Sequence, residues 1–313
     1  MDIKPEKTEV TATTSAIEPA MREQFARTVE DMMARDERVA LLLAEISVSL
    51  FKRALRDFPE RVVNVGIMEQ TLVSAAAGFA LEGFIPVLHS IAPFLVERPF
   101  EQIKDDFCYQ NLPGNFVSNG ASYDYSEEGM THHGFADVPV LHSLPGMRIV
   151  VPGAPAELDT LFRAVYGDGG RTYFRTSVKR NREERPVRFG ALDVVREGSR
   201  AAVIAVGPML DATLAAASDL DVSVLYCTTV APFDGETLRA HATAGKVALV
   251  EPYEAGALVP DVVAALAPRP ARVEAIGVPR AVLSRYGTPE QHDEALGLTP
   301  SGIRARITRL LDE

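Results

Sequence analysis

Short, almost wholly apolar runs recur along this chain, and each is followed by a longer stretch with helical periodicity. That alternation constrains the fold more than any other feature. A strand with no polar face cannot lie against water, so it needs cover on both sides. A parallel sheet clad in helices supplies that cover. Strands are predicted over 39–43, 61–65, 85–89, 115–118, 148–151 and 172–175, with helices over 19–35, 68–82, 98–110 and 155–166. The stretch SVKRNREERPVRFG at 177–190 breaks the pattern: it is charged, holds Pro186 and Gly190, and lacks apolar periodicity. It reads as a solvated domain linker. Alternation then resumes, with strands over 201–206, 222–227, 247–250 and 272–276 and helices over 209–219, 234–243, 256–267 and 302–311. The expected fold class is α/β, as two doubly wound domains. These are a domain over 19–178, a linker over 179–190 and a smaller domain over 191–313, after a disordered polar tail over 1–18.

Charge and cysteine usage narrow the function classes. Asp and Glu number 43 against 32 Lys and Arg, a net charge of -11. A chain this acidic is unsuited to a nucleic-acid backbone, which needs clustered cations. Cys108 and Cys227 stand far apart, which is neither a disulfide framework nor a metal cluster, and reduced thiols suit a cytoplasmic protein. The first residues lack the apolar core of a signal peptide, and no apolar run is long enough to span a bilayer, so no membrane is expected.

The segment VVNVGIMEQTLVSAAAG, 62–78, carries the first chemistry. An apolar strand ends at Val65-Gly66, and Glu69 begins a helix of small residues. Ligands of open α/β sheets gather at the carboxyl ends of strands, where such a carboxylate would meet them. Taken alone, Glu69 reads equally well as a first-turn residue favoured by the helix dipole.

The wider run FPERVVNVGIMEQ resembles the signature of the transketolase family. GFALEGFIPVLHSIAPF and EEGMTHHGFADVPVLHSLPGMRIVVPGAPAEL are similar to that family's next two segments. VAPFDGETL, VALVEPYEAGAL and YGTPEQHDEALGLTPSGI resemble its C-terminal domain, so the likeness covers about 20 to 313, in order. It implies a pyrimidine-binding domain followed by a transketolase C-terminal-like domain. It implies thiamine diphosphate as cofactor, with the Glu69 carboxyl on the aminopyrimidine ring. Phe94 matches one of two aromatics that support that ring, and Ile91 stands where the other is usual. His132 falls on the histidine that contacts the reacting substrate oxygen, and His133 replaces a common glutamine. Glu128 replaces an aspartate that binds a substrate hydroxyl, a side chain longer by one methylene. Arg175 and Ser49 fall on or near phosphate-gripping positions, while the phosphate-contacting histidine is Gly120 here. Arg175 reads equally as an ion-pair partner. His89, at the end of an apolar strand, reads as a satisfied core or pocket-rim histidine.

Full-length relatives also carry a domain that binds the diphosphate through a metal held by a Gly-Asp-Gly segment. Gly167-Asp168-Gly169-Gly170 is not that segment, because it follows a helix, and it reads as a helix-ending turn. The resemblance therefore implies a split enzyme. The partner is an N-terminal diphosphate-binding subunit that holds most of the Mg²⁺ coordination, in an α2β2 heterotetramer with cofactor between chains. The implied reaction moves a two-carbon ketol unit from a ketose or ketose phosphate to an aldehyde. The alternatives are an acyloin-forming or 1-deoxyxylulose-phosphate-synthase-like subunit, and a non-catalytic paralogue.

Overall fold

The apolar runs do become strands covered on both faces. The computed structural model describes residues 20–312, so the tail expected over 1–18 lies outside the described residues. All five residues of β1 (Val39–Leu43) are buried. On one side lie the helices Met21–Arg35 and Pro155–Val165, joined by Phe25 against Phe162. On the other, the helix Glu69–Leu81 contributes Leu72, Val73 and Ala76. Each phenylalanine, leucine or valine among them gives roughly 1.5–3 kcal/mol on leaving water, before the entropy of ordering is subtracted.

The first sheet continues with β2 (Val62–Asn64), β3 (Ile85–Ile91), β4 (Gly114–Asn119), β5 (Met147–Val150) and β6 (Arg171–Arg175). The second domain supplies β7 (Leu192–Arg196), β8 (Ala202–Val206), β9 (Ser223–Cys227), β10 (Thr229–Ala231), β11 (Lys246–Glu254) and β12 (Arg272–Val278). The second sheet runs β12-β11-β8-β9-β7, parallel except for β7. The first runs β10-β5-β6-β4-β3-β1-β2, parallel except for β10.

β10 was not among the expected strands. It follows β9 almost directly, leaves the second sheet and closes the edge of the first, pairing antiparallel with β5. Three residues carry too little periodicity to announce themselves, and the partner is roughly eighty residues away in sequence. The linker also needs correction. It forms neither helix nor strand, but it is packed rather than solvated: Lys179 Nζ meets Asp293 at 2.6 Å, and Asn181 is buried with its amide on Gly207 O and Tyr226 Oη, both at 3.1 Å.

Candidate active site

Parallel strands all end at the same edge, which gathers the loops after β2, β3 and β4. The turn after β2 passes through Gly66, at φ +74°, and delivers Glu69 as the first residue of its helix. The side chain is only 1% exposed, although Ile67 and Met68 just before it are 71% and 51% exposed. Position at the positive end of the helix dipole favours a carboxylate there. Glu69 accepts a 2.6 Å bond from Arg98 Nη1 and a longer one, 3.4 Å, from Ser90 Oγ.

Arg98 was not singled out from the sequence. It stands four residues after Phe94, on the same side of the turn, and its guanidinium carbon lies 4.2 Å from the centre of the Phe94 ring. Phe94 in turn meets His132 edge-to-face, ring centres 5.0 Å apart. Glu69, Arg98, Phe94 and His132 thus form one continuous series of contacts drawn from the segments that follow β2, β3 and β4. Ile91, the last residue of β3, is buried beside Gly120.

The fit to the cofactor can be read from Arg98. A planar group with N–H donors lies over the Phe94 face and donates to Glu69, as the imino form of an aminopyrimidine ring would. Glu69 and Phe94 thus offer the acceptor and the ring face that the pyrimidine end of thiamine diphosphate would need. Among the described residues no group of three or more His, Cys, Asp or Glu is placed to hold a metal ion. Asp168, in the Gly-Asp-Gly segment, pairs instead with Arg148 at 2.7 and 2.8 Å, and Gly169 takes φ +87° after the helix Pro155–Val165.

The loop Ser126–His132 brings Glu128 and His132 to this edge, with Glu128 exposed and His132 half-buried. His132 Nδ1 lies 3.0 Å from Thr131 Oγ1. His133 departs from the expectation. Its ring turns inward, 3% exposed, towards His292 at 5.6 Å and Phe135 at 6.3 Å. Both its nitrogens lack a partner among the described residues, and burial pulls its pKa down.

Of the two readings of Arg175, the geometry shows the ion pair. The residue is 1% exposed and engaged internally: Nε donates to Asp137 at 2.8 Å, and Nη2 to Ser122 Oγ at 2.8 Å and Gly134 O at 3.1 Å. Tyr173 Oη donates to the same Asp137 oxygen at 2.7 Å. Ser122 and Gly134 bridge to each other across the base of the His132 loop, so Arg175 braces that loop from within. Ser49 is exposed on the short turn Val48–Leu50, and the neighbouring Ser47 turns inward instead, 2.9 Å from His89 Nε2. His89 is the satisfied core histidine anticipated, its Nδ1 2.8 Å from Val117 O, and burial lowers its pKa to about 4.

Comparisons with known proteins follow the same division of the chain. The family model for the transketolase pyrimidine-binding domain matches residues 17–183, and that for the transketolase C-terminal domain matches 190–303. A 33.6 kDa uncharacterized protein in the fasciation locus of Rhodococcoides fascians is 42% identical over 292 residues, covering 92% of this chain and 93% of the relative. One of the subunits of the apulose-4-phosphate transketolase of Actinobacillus succinogenes is 32% identical over 193 residues, 59% of this chain and 62% of that one. The 1-deoxy-D-xylulose-5-phosphate synthase of Symbiobacterium thermophilum is 33% identical over 308 residues, yet this chain spans only 46% of its length. A solved split gene transketolase, described as an inactive beta4 tetramer, superposes with a TM-score of 0.82 at 25% identity, covering 94% of this chain and 99% of that one.

Proposed function

Because this chain belongs to the transketolase family, matched in both its pyrimidine-binding and C-terminal domains, we propose that it is one of the two polypeptides of a thiamine-diphosphate-dependent enzyme. The reaction proposed is transfer of a two-carbon ketol unit from a ketose to an aldehyde. The partner proposed is a chain that holds the diphosphate and Mg²⁺, in an α2β2 assembly in the cytoplasm. The observation that carries the reading is the buried Glu69 carboxylate, joined through Arg98 to the Phe94 ring, with His132 next in contact. The exposed Ile67 and Met68 at the rim support cover by a second chain.

The cofactor, when bound, supplies the nucleophilic carbon and the electron sink of the reaction. The residues of this chain hold and orient. Glu69 would share a hydrogen bond with the pyrimidine ring nitrogen and so set the ring's tautomer. Phe94 would support the ring face, with aliphatic contact from Ile91. Arg98, which holds the Glu69 carboxylate in this structure, would yield that bond to the ring. His132 donates to the substrate oxygen, and Glu128, exposed at the mouth, meets a substrate hydroxyl. A positioned proton-transfer partner of this kind contributes about 10²–10⁴-fold.

A second reading, a subunit that uses a 2-oxo acid as donor, draws on the identity to 1-deoxy-D-xylulose-5-phosphate synthases over 92% of this chain. One experiment separates the two. The chain is co-purified with a diphosphate-binding partner, given thiamine diphosphate and Mg²⁺, and offered ketoses or pyruvate with an aldehyde, with products read by mass spectrometry. Ketol transfer from a ketose is expected, and decarboxylative product from pyruvate alone would favour the second reading. Glu69→Gln is expected to lower kcat by at least about 10²-fold while leaving the circular dichroism spectrum unchanged. Near-parental turnover in that variant removes the role given to Glu69.

A further inference from the structure

A cavity of about 520 Å³ lies beyond the candidate site, lined in part by Asn119, Tyr125, Ser177, Val178 and Arg22. His132 is not among its lining residues, but Tyr125 reaches both: its ring stands edge-on to His132, centres 6.3 Å apart at 77°. Two neighbours fix that ring. Asn119 Nδ2 donates to Tyr125 Oη at 2.6 Å. Gly120 lies directly against it: a Cβ built there would fall 2.2 Å from Tyr125 Cε2, and the backbone at φ +74° disfavours any side chain. Gly120 is therefore the reason the ring can occupy this place.

Building on the proposed reaction, we infer that Tyr125 is a specificity-determining residue. It is the wall between His132 and this cavity, and it restricts the acceptor to short aldehydes. Two facts converge on it. The space that a side chain at 120 would need is taken by the ring itself. An acceptor that extends past His132 on this side meets an aromatic edge held by two contacts, and the cations Arg22 and Arg180 line the cavity behind it. Opening the wall joins the site to the cavity behind it.

The test uses the reconstituted two-chain enzyme with one donor and aldehyde acceptors of two to five carbons, with and without a terminal phosphate. The parent is expected to prefer the two- and three-carbon aldehydes. Tyr125→Ala is expected to raise kcat/KM for four- and five-carbon acceptors, relative to glycolaldehyde, by about tenfold or more. Tyr125→Phe keeps the ring and is expected to keep the parental ranking. Binding of the five-carbon aldose phosphate to the same complexes, read by saturation-transfer NMR, gives a readout independent of turnover. It is expected with Tyr125→Ala and not with the parent. If Tyr125→Ala does not fold, Tyr125→Leu, which shortens the wall but keeps apolar bulk, reads the same shift. An unchanged ranking and unchanged binding in a folded variant overturn the inference, as does a parent that takes five-carbon aldose phosphates as readily as glycolaldehyde. A complex that turns over no donor overturns the proposed reaction instead, and the binding comparison still decides the wall.

Discussion

Arg175 shows how one residue type changes meaning with burial. On a strand end its fork suits a phosphate. Inside the protein, with Asp137 and two oxygen acceptors around it, the same fork is a structural tie. Removing the cation leaves Asp137 charged and uncompensated in a dry setting. Arg175→Ala is therefore expected to destabilise the chain by about 3–5 kcal/mol, seen as a lower urea midpoint. A KM increase confined to phosphorylated substrates with unchanged stability would contradict this. The identity of Arg175 was plain in the sequence, but its partner was not: Asp137 lies 38 residues earlier. Arg98 is the converse case. Its spacing of four from Phe94 was readable, yet nothing local says that a surface arginine will fold back onto a buried carboxylate.

At the scale of elements, the loop Ser126–His132 is held from both domains. Ser126 Oγ donates to Gly287 O at 2.6 Å, and Tyr286 packs on Gly129. Gly129 sits at φ 71°, ψ -161°, a region open in practice only to glycine. A Cβ there would also lie 2.7 Å from Tyr286 Cε1. Gly129→Ala is expected to displace Glu128 and His132 and lower kcat by about tenfold or more, because small misplacements of catalytic groups are costly. The loop opens locally, so the global unfolding free energy is expected to fall by only about 1–3 kcal/mol. Kinetics alongside chemical denaturation checks both, and unchanged kcat would show that the loop tolerates the strain. The motif THHG pointed to this loop from the sequence, while the opposed facing of His132 and His133 follows from what surrounds them: the His133 ring lies towards His292 of the second domain, and the His132 ring meets Phe94.

Across the whole molecule, the two domains share more than a linker, since β10 completes the first sheet and Tyr253 of β11 lies 5.5 Å from the Arg175 guanidinium. Stability therefore depends on groups far from the site. Glu251 is buried and accepts from the Gly256 and Leu258 amides at 2.5 and 3.1 Å, and burial raises its pKa from 4.5 to about 7. The folded chain holds this proton where the unfolded chain releases it. The contribution is thus fully present below the unfolded pKa and is lost as pH rises to the folded value. Glu251→Gln is expected to reduce the fall in unfolding free energy between about pH 5 and about pH 8 by roughly 2–3 kcal/mol, measured by urea titration at each pH. An identical slope in the variant would place the proton elsewhere. The sequence by itself determined the parallel α/β architecture, the two domains and the position of Glu69 at a strand's end. Apolar periodicity and turn residues are local properties, and strands with two apolar faces admit few arrangements. Only the tertiary structure decided that β10 crosses between sheets, that Arg175 and His133 face inward, and that Arg98 and Tyr125 shape the site. Those outcomes depend on which distant groups meet once the core closes, and burial then turns a free charge into a paired one.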